Sequence, residues 1–543
     1  MVTAVVDIET DRLDATKIHC IVASSISGKQ KVWIEDECQQ FSDWSRQIDQ
    51  FIMHNGISFD APILNRLTGS NIKLSQVRDT LIESQLYNPI RDGGHSLQSW
   101  GERLGYSKGD YNDFTAFNKE MLEYCQRDTE LTRKVAGVLS GEGSSFSDRS
   151  YNLERKVRAI IDQQERNGFA FDIQKATVFL SQLEDEQYSL EEKAQEMFEP
   201  TEVKLKTKTK YIPFNIASRK QIAERLMERG WEPKKHTEKG NVIVSEEILS
   251  KLDMPEAQMF SRYFLLQKRT GLLKSWIQEC QEDDRVRGRV MTLRTVTGRM
   301  AHNSPNMAQV PATYSPYGKE CRELWTVSNP DTHALVGTDA SGLELRCLAH
   351  YMEDPKFTRE VLTGDVHTAN QKMAGLETRD QAKTFIYAFL YGAGPAKIGS
   401  VVGAGAKQGN ILIQRFLKNM PALNRLRSKV QEAAEEGTII GLDGRQLQIR
   451  AVHSSLNTLI QGAGAIVCKQ WLVHMDERIR AKGIDAKLVA SVHDEYQFEV
   501  SKKDTTIFGQ ITKDAMKDTE ATLNVKCPLD CEYKVGNTWA ETH

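Results

Sequence analysis

Apolar and polar positions alternate through three early runs, TAVVD, IHCIVASSI and KQKVWI. A period of two rich in β-branched residues predicts strands, and helical stretches separate and follow them up to residue 138. The small, polar run LSGEGSSFSD has the composition of a flexible connection, so a linker is expected over 139–150. Helical character resumes at Tyr151. Ala176, Leu180, Leu183, Leu190, Ala194 and Met197 recur on one stripe between 173 and 198, which predicts a long amphipathic helix ended at Pro200. VKLKTKTKY then places Lys204, Lys206, Lys208 and Lys210 two apart. As one strand, all four ammoniums would share a face and suit a phosphate backbone; a solvated loop is the alternative.

In the C-terminal half, THALVGTDASGLELRCLAHYM reads as a strand ending at Asp339 and followed by a helix. AKLVASVHDEYQFEV reads as two strands joined at His493, Asp494 and Glu495. Between them, Arg379, Lys383, Tyr387 and Tyr391 recur every four residues in TRDQAKTFIYAFLYGAG. That interval drifts only about 40° per step, so one helix face carries a guanidinium, an ammonium and two phenols. Such a face is poor for a core and suits a triphosphate with a base beside it. No GxxxxGK[ST] loop is present, so side chains and metal would have to hold the phosphates.

Composition narrows the classes. At 543 residues the chain exceeds one ordinary core, so two or more domains are expected. The mean hydropathy of −0.48 and the lack of a long apolar run exclude a membrane span. The N-terminus lacks the basic-then-apolar order of a signal peptide. Nine scattered cysteines fit a reducing cytoplasm better than a disulfide framework or a zinc site. The net charge of −3 hides an asymmetry. Residues 1–60 hold ten acidic and five basic side chains, residues 201–240 five acidic and eleven basic. That suggests metal chemistry in one place and phosphate contact in another.

The acids of the first block come in a pattern. Asp7 and Glu9 share one face at a strand end, Asn55 and Asp60 lie where an apolar segment enters a turn or helix, and Tyr124 and Asp128 stand four apart on a helix. Acids gathered from three elements repel one another unless cations intervene, and carboxylate oxygens suit Mg²⁺ or Mn²⁺. Two such ions about 4 Å apart would clamp the attacking and leaving oxygens of a phosphodiester.

This order, Asp-x-Glu, then Asn with an acid five residues on, then Tyr-x-x-x-Asp, resembles the three motifs of DEDDy proofreading exonucleases. The resemblance implies that Asp7, Glu9, Asp60 and Asp128 are metal ligands and that Tyr124 orients the attacking water. Across nearly the whole chain, VDIET, HNG, QERNGFAFD, TGR, DASGLELRCLAH, RDQAKTFIYAFLYGAG, GLDGR, NTLIQGAGA and VHDE resemble family A DNA polymerases in order. That resemblance implies Asp339 and Asp494, with the Ala340 carbonyl, as ligands of two catalytic Mg²⁺ ions. It implies His367, Arg379 and Lys383 as triphosphate contacts, with Lys383 also a proton donor to pyrophosphate. Tyr387 occupies the position where the family carries Phe or Tyr, and Tyr391 would stack near the templating site. Arg299, Asn457 and Gln461 would touch the minor-groove side of the nascent pair, while His493 and Glu495 flank the metals. Glu344 stands where the family places its steric gate against a ribose hydroxyl.

The expected architecture is therefore mixed α/β. A ribonuclease-H-like 3′→5′ exonuclease (1–138) precedes a right-hand polymerase. Its thumb would span about 151–290, its palm 290–352 and 453–543, and its fingers 353–452. Primer–template DNA and dNTPs are the implied partners, a replicative helicase-primase a further one, and a membrane is not. One phage enzyme of this family carries a long thumb insert that binds host thioredoxin. Only about fifteen residues join Pro200 to the helix near Ala217, so thioredoxin is not expected to bind. The chain opens directly on the exonuclease strand, so the 5′-nuclease of bacterial repair relatives is expected to be absent. A phage replicative enzyme in a bacterial cytoplasm is the implied setting. A repair nuclease or a non-catalytic scaffold would tolerate loss of acids, and none is lost. An RNA polymerase is disfavoured by Glu344 and by the proofreading motifs.

Overall fold

The N-terminal alternation forms a five-stranded mixed sheet of β1 (Thr3–Thr10), β2 (Ile18–Ser25), β3 (Gln30–Ile34), β4 (Gln50–Met53) and β5 (Val77–Asp79). The order is β3-β2-β1-β4-β5. β2 is antiparallel to β1 and β3, whereas β4 is parallel to β1 and β5. β1 is thus flanked on both sides, and its register sets Asp7 opposite Val22 and Glu9 opposite Cys20. Helix Lys119–Glu142 lies on β1 and β2; its N-terminus is capped by Asn118, whose side chain accepts from the Met121 amide. Val6, Ile8, Ile21, Phe51 and Leu64 fill the core beside the sheet.

The computed structural model describes residues 1–204 and 209–543. It divides into two compact units. One holds Met1–Asn167, Arg289–Asn303 and Val336–Val535, the other Gly168–Gly288, Ser304–Leu335 and Gly536–His543. A second sheet, whose residues fall mostly in the first unit, runs in the order Ala486–Val492, Glu495–Ser501, His333–Ala340, Cys531–Gly536. Helix Ser455–Lys482 is buried along most of its length and lies against helices Asp148–Asn167 and Thr505–Leu523. Its apolar residues come on every side, as expected of a helix enclosed by neighbours. Helices Arg379–Leu390, Ala406–Asn419 and Pro421–Ala434 follow one another in the same unit.

In the second unit, helices Ile173–Met197 and Pro255–Glu279 lie side by side. Arg262 bonds Glu186 at 2.7 Å and Lys274 pairs with Glu184 at 2.7 Å. A small sheet of Phe169–Phe171, Arg285–Val286 and Trp325–Thr326 carries Phe169, Phe171 and Trp325, which cluster with Trp276 and Trp539. All nine cysteines are free thiols.

Three expectations are corrected. The Gly/Ser-rich linker is mostly helix: Lys119–Glu142 runs into it with Leu139 fully buried, and the next helix starts at Asp148. Leu139 anchors a turn that composition alone reads as flexible. Helix Asp148–Asn167 falls in the unit that holds both of these sheets, and residues 536–543 fall in the other unit. Met197 is exposed, and Phe198 takes the buried place at that end of the stripe. The lysine segment is a hairpin, Thr201–Lys204 paired with Thr209–Ile212. Lys204 sits opposite Thr209 and Lys210 opposite Val203. Cross-strand partners share a face, so Lys204 and Lys210 point to opposite faces. Lys206 and Lys208 lie outside the described residues.

Candidate active sites

The first site gathers around the end of β1. Asp7 and Glu9 project from the strand, Asp60 begins helix Asp60–Thr68, and Tyr124 and Asp128 come from helix Lys119–Glu142. All five line one cavity of about 380 Å³. Turn geometry delivers Asp60. Asn55 adopts φ 66°, and buried Asp79 accepts the Asn55, Ile57 and Leu81 amides at 3.0, 3.1 and 3.0 Å. Asp79 therefore holds the HNG turn and caps the following helix at once.

The electrostatics ask for cations. Burial first, then Glu9, Asp128 and Asp60, push the Asp7 carboxyl well above its ordinary range. Burial and Asp128 raise Glu9 to about 8, and burial with Asp79 raises Asp60 to about 7. Asp128 is raised too, chiefly by burial and against the pull of Lys108. Its Oδ1 is buried without a hydrogen-bond partner, and an orphaned carboxylate oxygen among three other acids fits a divalent ion. Cys125 also points here, its thiol donating to Asp7 at 3.4 Å. Sequence reasoning missed Asp79, Cys125 and Lys108, which carry no motif spacing. Lys108 comes from a loop and reaches Asp128 at 3.1 Å.

The second site lies at the edge of the other sheet. Strand His333–Ala340 runs beside Glu495–Ser501, and the Ala340 amide donates to the Asp494 carbonyl at 3.1 Å. This brings Asp339, exposed at its strand end, to the turn that carries Asp494. Val492 pairs with Glu495, leaving a two-residue turn with φ 57° at His493, a place where glycine is usual. Burial, then Glu344, raise the Asp494 carboxyl. Strand-end carboxylates with a nearby backbone carbonyl fit a hard cation. Glu495 is buried, and its carboxylate accepts from Gln497 at 2.6 Å.

Arg299, Glu344, Tyr391, His493 and Asp494 share a cavity of about 330 Å³. Glu344 accepts from the Tyr391 hydroxyl at 2.5 Å and from Arg299 at 3.3 Å. Tyr391 stacks on Tyr387 with ring centres 6.4 Å apart, and Tyr387 lies 6.1 Å from His367. Arg379 and Lys383 continue the same face in the open, with Arg379 bonded to Asp365 at 2.7 Å. Thr378 caps this helix in a capping box with Gln381, and Tyr391 stands at its C-cap. Asn457 and Gln461 are half-buried, one turn apart on helix Ser455–Lys482, and the Asn457 side-chain oxygen has no partner.

Behind Arg299 stands a buried charge cluster that sequence reasoning did not find. Glu154 accepts from Lys469 at 2.8 Å and pairs with Arg445 at 2.7 Å, while Arg445 also bonds Asp443 at 2.7 Å. Lys469 donates as well to the Thr292 carbonyl at 2.8 Å. Burial lowers the Lys469 ammonium to about 8. Gly298, at φ 73°, lets the TGR turn approach Arg445, since a Cβ there would lie 2.9 Å from the guanidinium. GLDGR and TGR are thus two sides of one support.

A strand-end carboxylate beside a turn that carries another, near a cationic and aromatic helix face, has the chemistry of a phosphoryl-transfer centre. The chain belongs to DNA polymerase family A, whose profile matches residues 181–541. It is 31% identical to the DNA-directed DNA polymerase of Escherichia phage T7, covering 99% of each chain. It is 32% identical to the corresponding enzyme of Enterobacteria phage T3, over 89% of this chain and 87% of that one. Among solved structures, the POL domain of Pol1 from M. smegmatis, in complex with DNA primer-template and dNTP, superposes with a TM-score of 0.82. It covers 99% of this chain and 95% of that one, at 18% identity. The fold is that of the polymerase right hand. Among the described residues no helix is long and apolar enough to cross a membrane.

Proposed function

We propose that the chain is a template-directed DNA polymerase with its own 3′→5′ proofreading exonuclease, serving the replication of a phage genome in a bacterial cytoplasm. The observation that carries this is the presence of two separate acid sites in one chain, one beneath the Arg379–Tyr391 face and one around β1. At the first, Arg379, Lys383 and His367 would bind the triphosphate, and Lys383 would give a proton to departing pyrophosphate. Arg299, Asn457 and Gln461 would read the minor-groove side of the new pair. The Glu344–Tyr391 bond would open when a templating base enters, leaving Glu344 beneath the sugar C2′. Magnesium held by Asp339, Asp494 and the Ala340 carbonyl, and by Asp7, Glu9, Asp60 and Asp128 at the other site, would stabilise charge in phosphoryl transfer. Tyr124 would hold the attacking water against a melted primer end. Primer–template DNA and dNTPs are the substrates, a helicase-primase is a partner in replication, and thioredoxin is not required.

The test is primer extension with dNTPs against rNTPs, with digestion of a mismatched primer followed in parallel. DNA synthesis, poor ribonucleotide use and removal of the mismatch are expected, and Glu344→Ala should admit ribonucleotides. Extension without digestion would remove the proofreading half, and synthesis from rNTPs alone would overturn the reading. Thioredoxin-dependent product length would overturn the partner assignment.

A further inference from the structure

The loop between helices Leu97–Leu104 and Lys119–Glu142 brings one cation into the acid site around β1. Lys108 Nζ lies 3.1 Å from Asp128 Oδ2 and 5.1 Å from the centre of the Tyr124 ring, over its face. The loop is pinned where it needs to be. Arg127 donates to the Ser107 carbonyl at 3.2 Å, His19 Nε2 bonds the Phe114 carbonyl at 3.0 Å, and Asn118 donates to the Tyr111 hydroxyl at 2.7 Å. The rings of Tyr111 and Phe114 lie 5.6 and 6.5 Å from that of Tyr124. Gly105 and Gly109, at φ 62° and 87°, bend the chain on either side of the lysine.

The two oxygens of Asp128 are in different states. Oδ2 holds the ammonium, whereas Oδ1 is buried without a partner and free for a cation. Lysine and metal therefore need not compete for the same atom. We propose that Lys108 is a positioning residue of the exonuclease site: bridging Asp128 and Tyr124, it fixes the phenol where it meets the attacking water and offsets part of the acid charge. This rests on the proofreading reading above. An ammonium is suited to the task, being a compact charge that can pair with a carboxylate while lying over an aromatic ring.

Two consequences separate positioning from mere structural support. Lys108→Met removes a positive charge from among four acids, so Mn²⁺ should bind the site more tightly while hydrolysis slows. A collapsed site would lose both. The measurement uses the full chain carrying Asp494→Ala, so that Mn²⁺ titrated by calorimetry reports mainly on the site around β1. Digestion of single-stranded DNA is followed alongside. Lys108→Met should lower kcat about 10- to 100-fold with little change in KM, the size expected when a reacting group is misplaced. Lys108→Arg should restore part of the rate. In a Tyr124→Phe background Lys108→Met should add little, because Lys108 acts by placing a hydroxyl that is already gone. Wild-type digestion by Lys108→Met, loss of Mn²⁺ binding together with rate, or full additivity with Tyr124→Phe would each overturn the proposal. A parent chain that digests nothing would overturn the proofreading reading, and this inference with it.

Discussion

At the site around β1, Glu9, Asp60 and Asp128 are 8%, 4% and 3% exposed, whereas across the first unit Asp339 is exposed and Asp494 half-buried. The buried group is assembled from a strand and two helices; the open pair sits at a strand end and in the turn beside it, tied by the bond from the Ala340 amide to the Asp494 carbonyl. Buried like charges raise one another's proton affinity and work against folding until cations arrive. An open pair feels less of this, and its geometry comes from the sheet rather than from opposing charge. The Glu154–Lys469–Arg445–Asp443 cluster is equally buried but supplies its own cations. On the proposed reading, metal at the first site would serve stability as well as chemistry, and at the second chemistry alone.

The sharpest break would come from crossing the two sites. Asp494→Ala should stop synthesis by about 10³-fold or more while single strands are still digested, and Asp7→Ala with Glu9→Ala should do the reverse. Primer extension and exonuclease assays on the same preparations check both. Parallel loss of the two activities in either variant would mean the sites are not independent.

A smaller effect belongs to the open site. Tyr387 stacks on Tyr391, and burial with Glu344 raises its hydroxyl's proton affinity, so the proton stays available for donation. Its hydroxyl should stand in for a missing 3′-hydroxyl near the β-phosphate, making ddNTPs nearly as good as dNTPs. Tyr387→Phe should then restore discrimination about 10- to 150-fold, the range of one charge-assisted hydrogen bond. The ratio of kcat/KM for ddNTP and dNTP decides it; equal ratios in both proteins would remove the hydroxyl from the explanation.

The metal-free stability of the buried site offers a third test. Glu9 is raised from 4.5 to about 8, so its contribution is fully present below its unfolded pKa and is lost as pH rises through the folded value. In chelator, wild type should lose stability between pH 5 and 8, and Glu9→Gln should lessen that loss by about 1–3 kcal/mol. Asp339→Asn should shift stability by no more than about 0.5 kcal/mol, as at other open positions. Thermal unfolding across that pH range measures both, and identical slopes for wild type and Glu9→Gln would contradict the account.

The smallest effect concerns the basic hairpin of the second unit, which neither acid site involves. With Lys204 and Lys210 on opposite faces, one duplex backbone can meet only one of them directly. Neutralising both should lower the salt slope of DNA binding by about 0.9, one phosphate contact, rather than twice that. A doubled change would mean that both lysines reach phosphate.

Much of this was readable from local pattern. Period-two runs predicted β1 to β3, the spacing of Tyr124 and Asp128 predicted one helix face, and the four-residue interval from Arg379 to Tyr391 predicted another. Each signal lies within a single element, whose geometry repeats in the chain itself. Composition misled where one buried residue outweighed it: Leu139 keeps a Gly/Ser-rich stretch helical. Lys204 and Lys210 lie on two paired strands with opposite faces, not on one. Other features had no local signal at all. Nothing near Lys108 marks it as the partner of Asp128, and Glu154 stands 315 residues from Lys469. The adjacency of the strand bearing Asp339 and the hairpin bearing Asp494 is likewise a choice of sheet order. Charge pairing and strand order join distant segments without any period along the chain, so folding alone decides them.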